Sequence, residues 1–193
     1  MSKIAVSSIT GERVRLRPLE QRDLSDTLRW RNQERVRTFF KSSAEISPES
    51  HSAWFSQYLS KADDYVYVID EIECSHLPVG QVSIYNINWD RGEAEFGRLL
   101  IGEPAALGKG YAREASLLLL AHWHSIYGIK RFCLEVKEEN ERAIRLYEQL
   151  GFTERGAHDG LIKMVLDPAK TRQSAGPISC LHGGYIEEPV SEA

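Results

Sequence analysis

Two glycines one residue apart, Gly108 and Gly110, stand directly ahead of a long apolar-faced segment. Lys109 lies between them, with Leu107 before and Tyr111 and Ala112 after. A loop of this kind running into a helix presents unpaired backbone N–H groups at the positive end of the helix dipole. That is a seat for an anion such as a pyrophosphate. The glycines let the backbone approach the phosphates with no Cβ in the way, and Lys109 adds charge at the rim. The same spacing also makes a plain strand-to-helix turn, so the loop by itself leaves both readings open. It is not a Walker loop, because GxxxxGK[ST] is absent, and Arg113 stands where a dinucleotide fingerprint needs its third glycine.

Farther along comes FCLEVKEENERAIRLYEQLGF, residues 132–152. It reads as a strand, a polar turn to Asn140, then a short helix with Ala143, Ile144, Tyr147 and Leu150 on one face. Gly151 takes the C′ position. Together the two stretches resemble the GNAT superfamily of acetyl-CoA-dependent N-acetyltransferases, whose motifs are [RQ]-x-x-G-x-[GA] and N-x-x-A-x-x-x-Y-x-x-x-G-F. Asn140, Ala143, Tyr147, Gly151 and Phe152 match the second, and Gly108 and Gly110 the first. Ala105 departs from the usual Arg or Gln. That removes a side chain and leaves the backbone cradle.

The resemblance covers residues 13–166 and implies how a thioester would be held. Pantetheine contacts fall to the backbone around Leu99, Leu100 and Ile101, and pyrophosphate contacts to the N–H groups of Leu107, Gly108, Lys109, Gly110, Tyr111 and Ala112. Asn140 reaches the cofactor arm with its side chain, beside Ala143 and Tyr147. The Tyr147 phenol is the candidate general acid for the departing sulfur; at helical spacing from Leu150 it also reads as a core aromatic. Glu95 is the candidate base, with Glu93 on the same strand face and Ala94, Phe96 and Arg98 on the other. A salt-bridged surface carboxylate, or a base that is only water, explains Glu95 as well.

On the acceptor side, Arg29, Trp30, Arg31 and Asn32, followed by 36–40, resemble the opening of RimJ/RimL-like members and of those that acetylate amino sugars on nucleotide carriers. His51 joins them as an acceptor contact. The alternatives are a solvated helix with Trp30 packed on the core and a surface histidine. Arg29, Arg31, Arg35 and Arg37 could serve a sugar diphosphate or could simply cover a helix face.

These residues need a scaffold. Strands are expected over 13–17, 65–69, 79–88, 93–101, 130–136, 153–155 and 161–166, and helices over 20–32, from Pro48 with Trp54, Phe55, Tyr58 and Leu59 inward, from 111 to Gly128, and after Asn140. The fold class is α/β (α+β). Its sheet is mixed and mostly antiparallel, with six to seven strands and about four flanking helices. Residues 1–12 read as a lead-in, 13–168 as one acetyltransferase domain, and 169–193 as a flexible tail rich in Gly, Ser, Pro and Glu.

A net charge of −4 speaks against nucleic acid as main partner. Cys74, Cys133 and Cys180, odd in number and without CxxC pairing, read as reduced cytosolic thiols. No signal peptide or membrane span is expected. His122 and His124 point roughly 200° apart on a helix, which is wrong for one metal, so no metal is expected. Ser116 has no GxSxG elbow around it. The expectation is therefore a cytoplasmic enzyme, with homodimers allowed, that transfers acetyl from acetyl-CoA to a small-molecule primary amine, a nucleotide-linked amino sugar being the specific candidate. N-terminal acetylation of proteins and acyl-CoA binding without turnover are the alternatives.

Overall fold

The computed structural model describes residues 2–40 and 42–169. Eight strands form one sheet: β1 (Ile9–Thr10), β2 (Val14–Pro18), β3 (Asp64–Glu71), β4 (Pro78–Asn88), β5 (Glu93–Ile101), β6 (Arg131–Lys137), β7 (Thr153–His158) and β8 (Leu161–Leu166). Their order is β1-β2-β3-β4-β5-β6-β8-β7, and β5–β6 is the one parallel pair among them. The sheet thus has one strand more than the upper expectation, because β1 lies in the segment read as lead-in. The expected tail falls almost wholly outside the described residues.

Local chemistry sets the boundaries. β3 is DYVYVIDE, a run of β-branched and aromatic residues buried on both faces. Asp159 and Gly160, at φ 52° and 73°, close the β7–β8 hairpin with the backbone a tight primed turn requires. Of the five α-helices, α1 (Leu24–Asn32) leads into the single turn α2 (Glu34–Arg37). α3 (Pro48–Ser60) starts where the Ser47 hydroxyl accepts from the Ser50 amide at 3.1 Å, with Pro48 in the first position. α4 (Tyr111–Tyr127) ends on Gly128 at φ 70°. α5 (Glu141–Gln149) begins at Asn140 and is followed by Gly151 at φ 92°.

The sheet separates two apolar clusters. Tyr65, Tyr67, Ile84, Phe96 and Phe132 pack with Leu119 and Trp123 of α4 and Tyr147 of α5. Val66, Val68 and Leu100 pack with Trp30, Phe55 and Tyr58 on the α1–α3 side. Leu59, expected inward, is 57% exposed, because the core side of α3 runs through His51, Phe55 and Tyr58. Arg17 ties the layers together. Its guanidinium donates to Asp23 at 2.7 and 2.8 Å and to Asp70 at 3.0 Å, and these bonds keep it firmly charged.

Strand β5 carries the feature that matters most for chemistry. Its register against β4 slips between Gln81↔Leu100 and Ser83↔Gly97, and Arg98 occupies the left-handed region at φ 50°. An extra residue in one strand reverses the alternation beyond it. Ala94 and Phe96 therefore belong to the α4 cluster, whereas Leu100 belongs to the α1–α3 cluster. Simple alternation put Arg98 with Ala94 and Phe96. The bulge turns it instead toward Asp64 and the Tyr85 ring.

Candidate active site

Strands β5 and β6 pair at three positions only, Glu93↔Arg131, Ala94↔Phe132 and Glu95↔Cys133. Past Glu95 they separate, leaving the inner edges of 96–101 and 134–137 without a neighbouring strand among the described residues. Fork edges of this kind offer hydrogen bonds to an extended chain.

Two groups with acid–base capacity sit where the fork opens. The Tyr147 ring meets Phe96, the first β5 residue past the last rung, edge-on at 6.2 Å, and tilts against Phe152 at 5.9 Å. Burial pushes its phenol up to about 12, so it holds its proton throughout the neutral range. Glu95 stands at the last rung and accepts from Asn86 Nδ2 at 3.0 Å. Glu93, its alternative, is taken by Arg131 at 2.8 Å, so the two carboxylates are not equivalent.

The loop ahead of α4 is open. Among the described residues no protein acceptor takes the N–H groups of Gly108, Lys109, Gly110, Tyr111 or Ala112, which form the end of the helix where such groups are orphaned. Leu107 is different: its N–H donates to Pro104 O at 3.2 Å and closes a short 3-10 turn. The cradle therefore begins one residue later than expected. Gly108 and Gly110, at φ 76° and 85°, supply the left-handed backbone that a side chain resists.

Several expected contacts are used internally. The Asn140 Oδ1 accepts from the Ala143 amide at 3.2 Å and caps α5, leaving only its amide nitrogen to reach outward. The Ile101 carbonyl accepts from Arg35. Trp30 is wholly buried and donates to Glu103 at 2.7 Å; its indole lies directly under Gly102. It is a core anchor and cannot line an acceptor pocket. Arg29 pairs with Asp26 and Glu103. Arg31 donates to Ser42 O and lies over the Phe40 ring, and Asn32 bridges both backbone polar groups of Ile46.

His51, expected as an acceptor contact or else a surface histidine, is 8% exposed; its Nε2 lies 3.0 Å from Thr27 Oγ1, and burial lowers its pKa. Arg29, Asn32 and His51 do meet, around a cavity of about 690 Å³ between α1 and α3 that Leu24 and Leu28 also line.

Three residues beside the fork were missed by sequence reasoning: Asp64, Tyr85 and Arg98. Arg98 donates to Asp64 and covers the Tyr85 ring at 4.2 Å, and Tyr85 pairs across the sheet with Glu95. The signal for them is a bulge, which leaves no motif.

Residues 13–153 match the acetyltransferase (GNAT) domain family. The chain belongs to that family. It is an acetyl-CoA-dependent N-acetyltransferase. Spermidine N(1)-acetyltransferase of Escherichia coli (strain K12) is 31% identical over 144 residues, 74% of this chain and 74% of that protein. Alpha/beta-tubulin-N-acetyltransferase 9 of Drosophila melanogaster is 26% identical over 163 residues, covering 77% and 79% respectively. The crystal structure of the Vibrio cholerae spermidine N-acetyltransferase in complex with CoA and spermine has the same fold. The TM-score is 0.73 at 24% identity, over 83% of this chain and 98% of that one.

Proposed function

We propose that this GNAT enzyme acetylates a primary amine of a small molecule that carries no diphosphate, with a polyamine as first candidate. The observation that carries the reading is the commitment of three of the four arginines, all but Arg37. Arg29, Arg31 and Arg35 are bonded to Asp26 and Glu103, to Ser42 O, and to the carbonyls of Ile101 and Gly102. A nucleotide-linked amino sugar needs free cations for its phosphates. A polyamine needs carboxylates instead, and the overall charge of −4 suits it. The likeness to spermidine N(1)-acetyltransferases supports the same choice.

In this reading the cosubstrate supplies an activated acetyl group, and the chain supplies position and protons. The open amides of 108–112 bind the diphosphate and the fork edges fix the arm. Alignment of this kind contributes large effective molarities, roughly 10⁵ M in favourable cases. Glu95, directly or through water, receives the proton of the attacking amine. As the amine nitrogen bonds to the carbonyl carbon, the carbon–sulfur bond breaks and the Tyr147 phenol protonates the sulfur.

A protein acceptor, its N-terminal amine being the expected site, is the second reading, and the likeness to the alpha/beta-tubulin N-acetyltransferase favours a protein acceptor. Release of free CoA thiol, followed with spermidine, spermine, UDP- and dTDP-amino sugars and N-terminal peptides, separates the two. Turnover confined to amino-sugar nucleotides would overturn the first, and turnover confined to peptides would install the second.

A further inference from the structure

We infer that Arg13, just before β2 and far in sequence from the glycine loop, is a diphosphate-binding residue of the cofactor site. It supplies from outside the motif the positive side chain that Ala105 lacks. The inference rests on the cofactor reading above and adds to it a residue that no motif contains.

The geometry is specific. A Cβ built on Gly110 would lie 3.4 Å from Arg13 Nη1, so the guanidinium stands at the mouth of the cradle. Its position is fixed from three directions. Glu73, in the loop after β3, takes Nε at 3.2 Å, and the same carboxylate accepts from the Tyr111 hydroxyl at 2.9 Å. The guanidinium lies 5.0 Å from the Tyr111 ring centre, and the Arg13 backbone amide donates to Glu114 of α4 at 2.8 Å. The loop that presents Glu73 is itself held, because the Glu71 carboxylate accepts the Cys74 and Ser75 amides at 2.6 and 2.9 Å.

This arrangement can take an anion. Glu73 offsets part of the Arg13 charge, and the positive end of α4 with its row of open N–H groups adds to the attraction. Glu73 engages Nε and leaves Nη1 directed at Gly110. A diphosphate seated on the amides would complete the set, since a guanidinium offers paired donors to phosphate oxygens.

The test is calorimetry of CoA with wild type, Arg13→Ala, Arg13→Lys and Glu73→Gln, beside steady-state kinetics with acetyl-CoA and with acetyl-S-pantetheine, which has no diphosphate. Arg13→Ala should weaken CoA binding about ten-fold or more, with Arg13→Lys in between and Glu73→Gln still binding. The kcat/KM ratio of Arg13→Ala to wild type should be near one for acetyl-S-pantetheine. Unchanged CoA affinity in Arg13→Ala overturns the inference, and so does an equal loss with both thioesters, which would mark a merely structural role. If wild type itself gave no heat with CoA, the cofactor reading would fall first.

Discussion

Arg98 meets the buried Asp64 carboxylate with both Nη atoms, at 2.7 and 3.1 Å, while its own backbone sits in the left-handed region of a bulge. The ion pair holds a conformation that a side-chain-bearing residue resists, and so holds the reversal of side-chain direction in β5. Arg98→Ala should cost about 3 kcal/mol, since it leaves Asp64 with the more distant Lys61 and with Lys3 as its cationic neighbours. Urea denaturation of the two proteins measures it. A loss below about 1 kcal/mol would mean that the bulge stands without the pair.

Tyr147→Phe should lower kcat by about 100-fold or more and leave KM for acetyl-CoA nearly unchanged, because it removes a proton donor and little volume. With its phenol pushed up to about 12, Tyr147 gives no basic limb to the rate between pH 6 and 10. Wild-type kinetics in the variant would reassign Tyr147 to packing against Phe96.

Gly108→Ala isolates the backbone contribution of the cradle. A Cβ there meets nothing within 4 Å, but the φ of 76° costs a side-chain-bearing residue about 1–2 kcal/mol. Affinity for CoA should fall, with little change in the rate at saturation. Gly110→Ala should act alike, since its φ is 85° and its Cβ would only touch the Arg13 guanidinium. Equal CoA affinity in all three proteins would rule the cradle out.

Stability should decline as pH falls below about 6.5. His51 and His122 both have pKa values lowered by burial, so the folded state refuses a proton that the unfolded state accepts near pH 6.5. The stabilisation is complete above that value and is lost on descending toward the folded-state pKa values. The depressed carboxylates, Glu73 and Glu103 among them, act only in a lower window. Unfolding free energy at pH 7 and 5.5, in wild type and His51→Asn, tests the sign. A shallower decline is expected in the variant, and a wild-type value that is flat or rises on acidification contradicts it.

Much of this fold was legible because local chemistry and the global pattern agree. Pro48 and Ser47 begin α3, Gly128 ends α4, and Asn140 with Gly151 bounds α5. The elements that carry the proposed acid and base were also legible, Tyr147 on α5 and Glu95 on β5. Reading failed where tertiary contacts decide. Trp30 looked like an acceptor contact until Glu103 and Gly102 enclosed it, and His51 is buried by Thr27 across a helix pair. The extra residue at Arg98 is invisible to a period-two pattern, because the slip is defined only against β4. Asn140 divides its side chain in a way no motif shows: the carbonyl caps its own helix, and the amide nitrogen is left to reach outward.

The three-rung contact between β5 and β6 has a consequence for the protein's persistence as well as its chemistry. Apart from the two-rung edge pair β1–β2, the sheet is spliced most weakly at this fork, so in the proposed reading a thioester bridging the gap stitches the two halves and favours the native ensemble by mass action. Loaded enzyme should outlast empty enzyme under proteolysis, which ties the lifetime of the catalyst to the supply of its acyl donor.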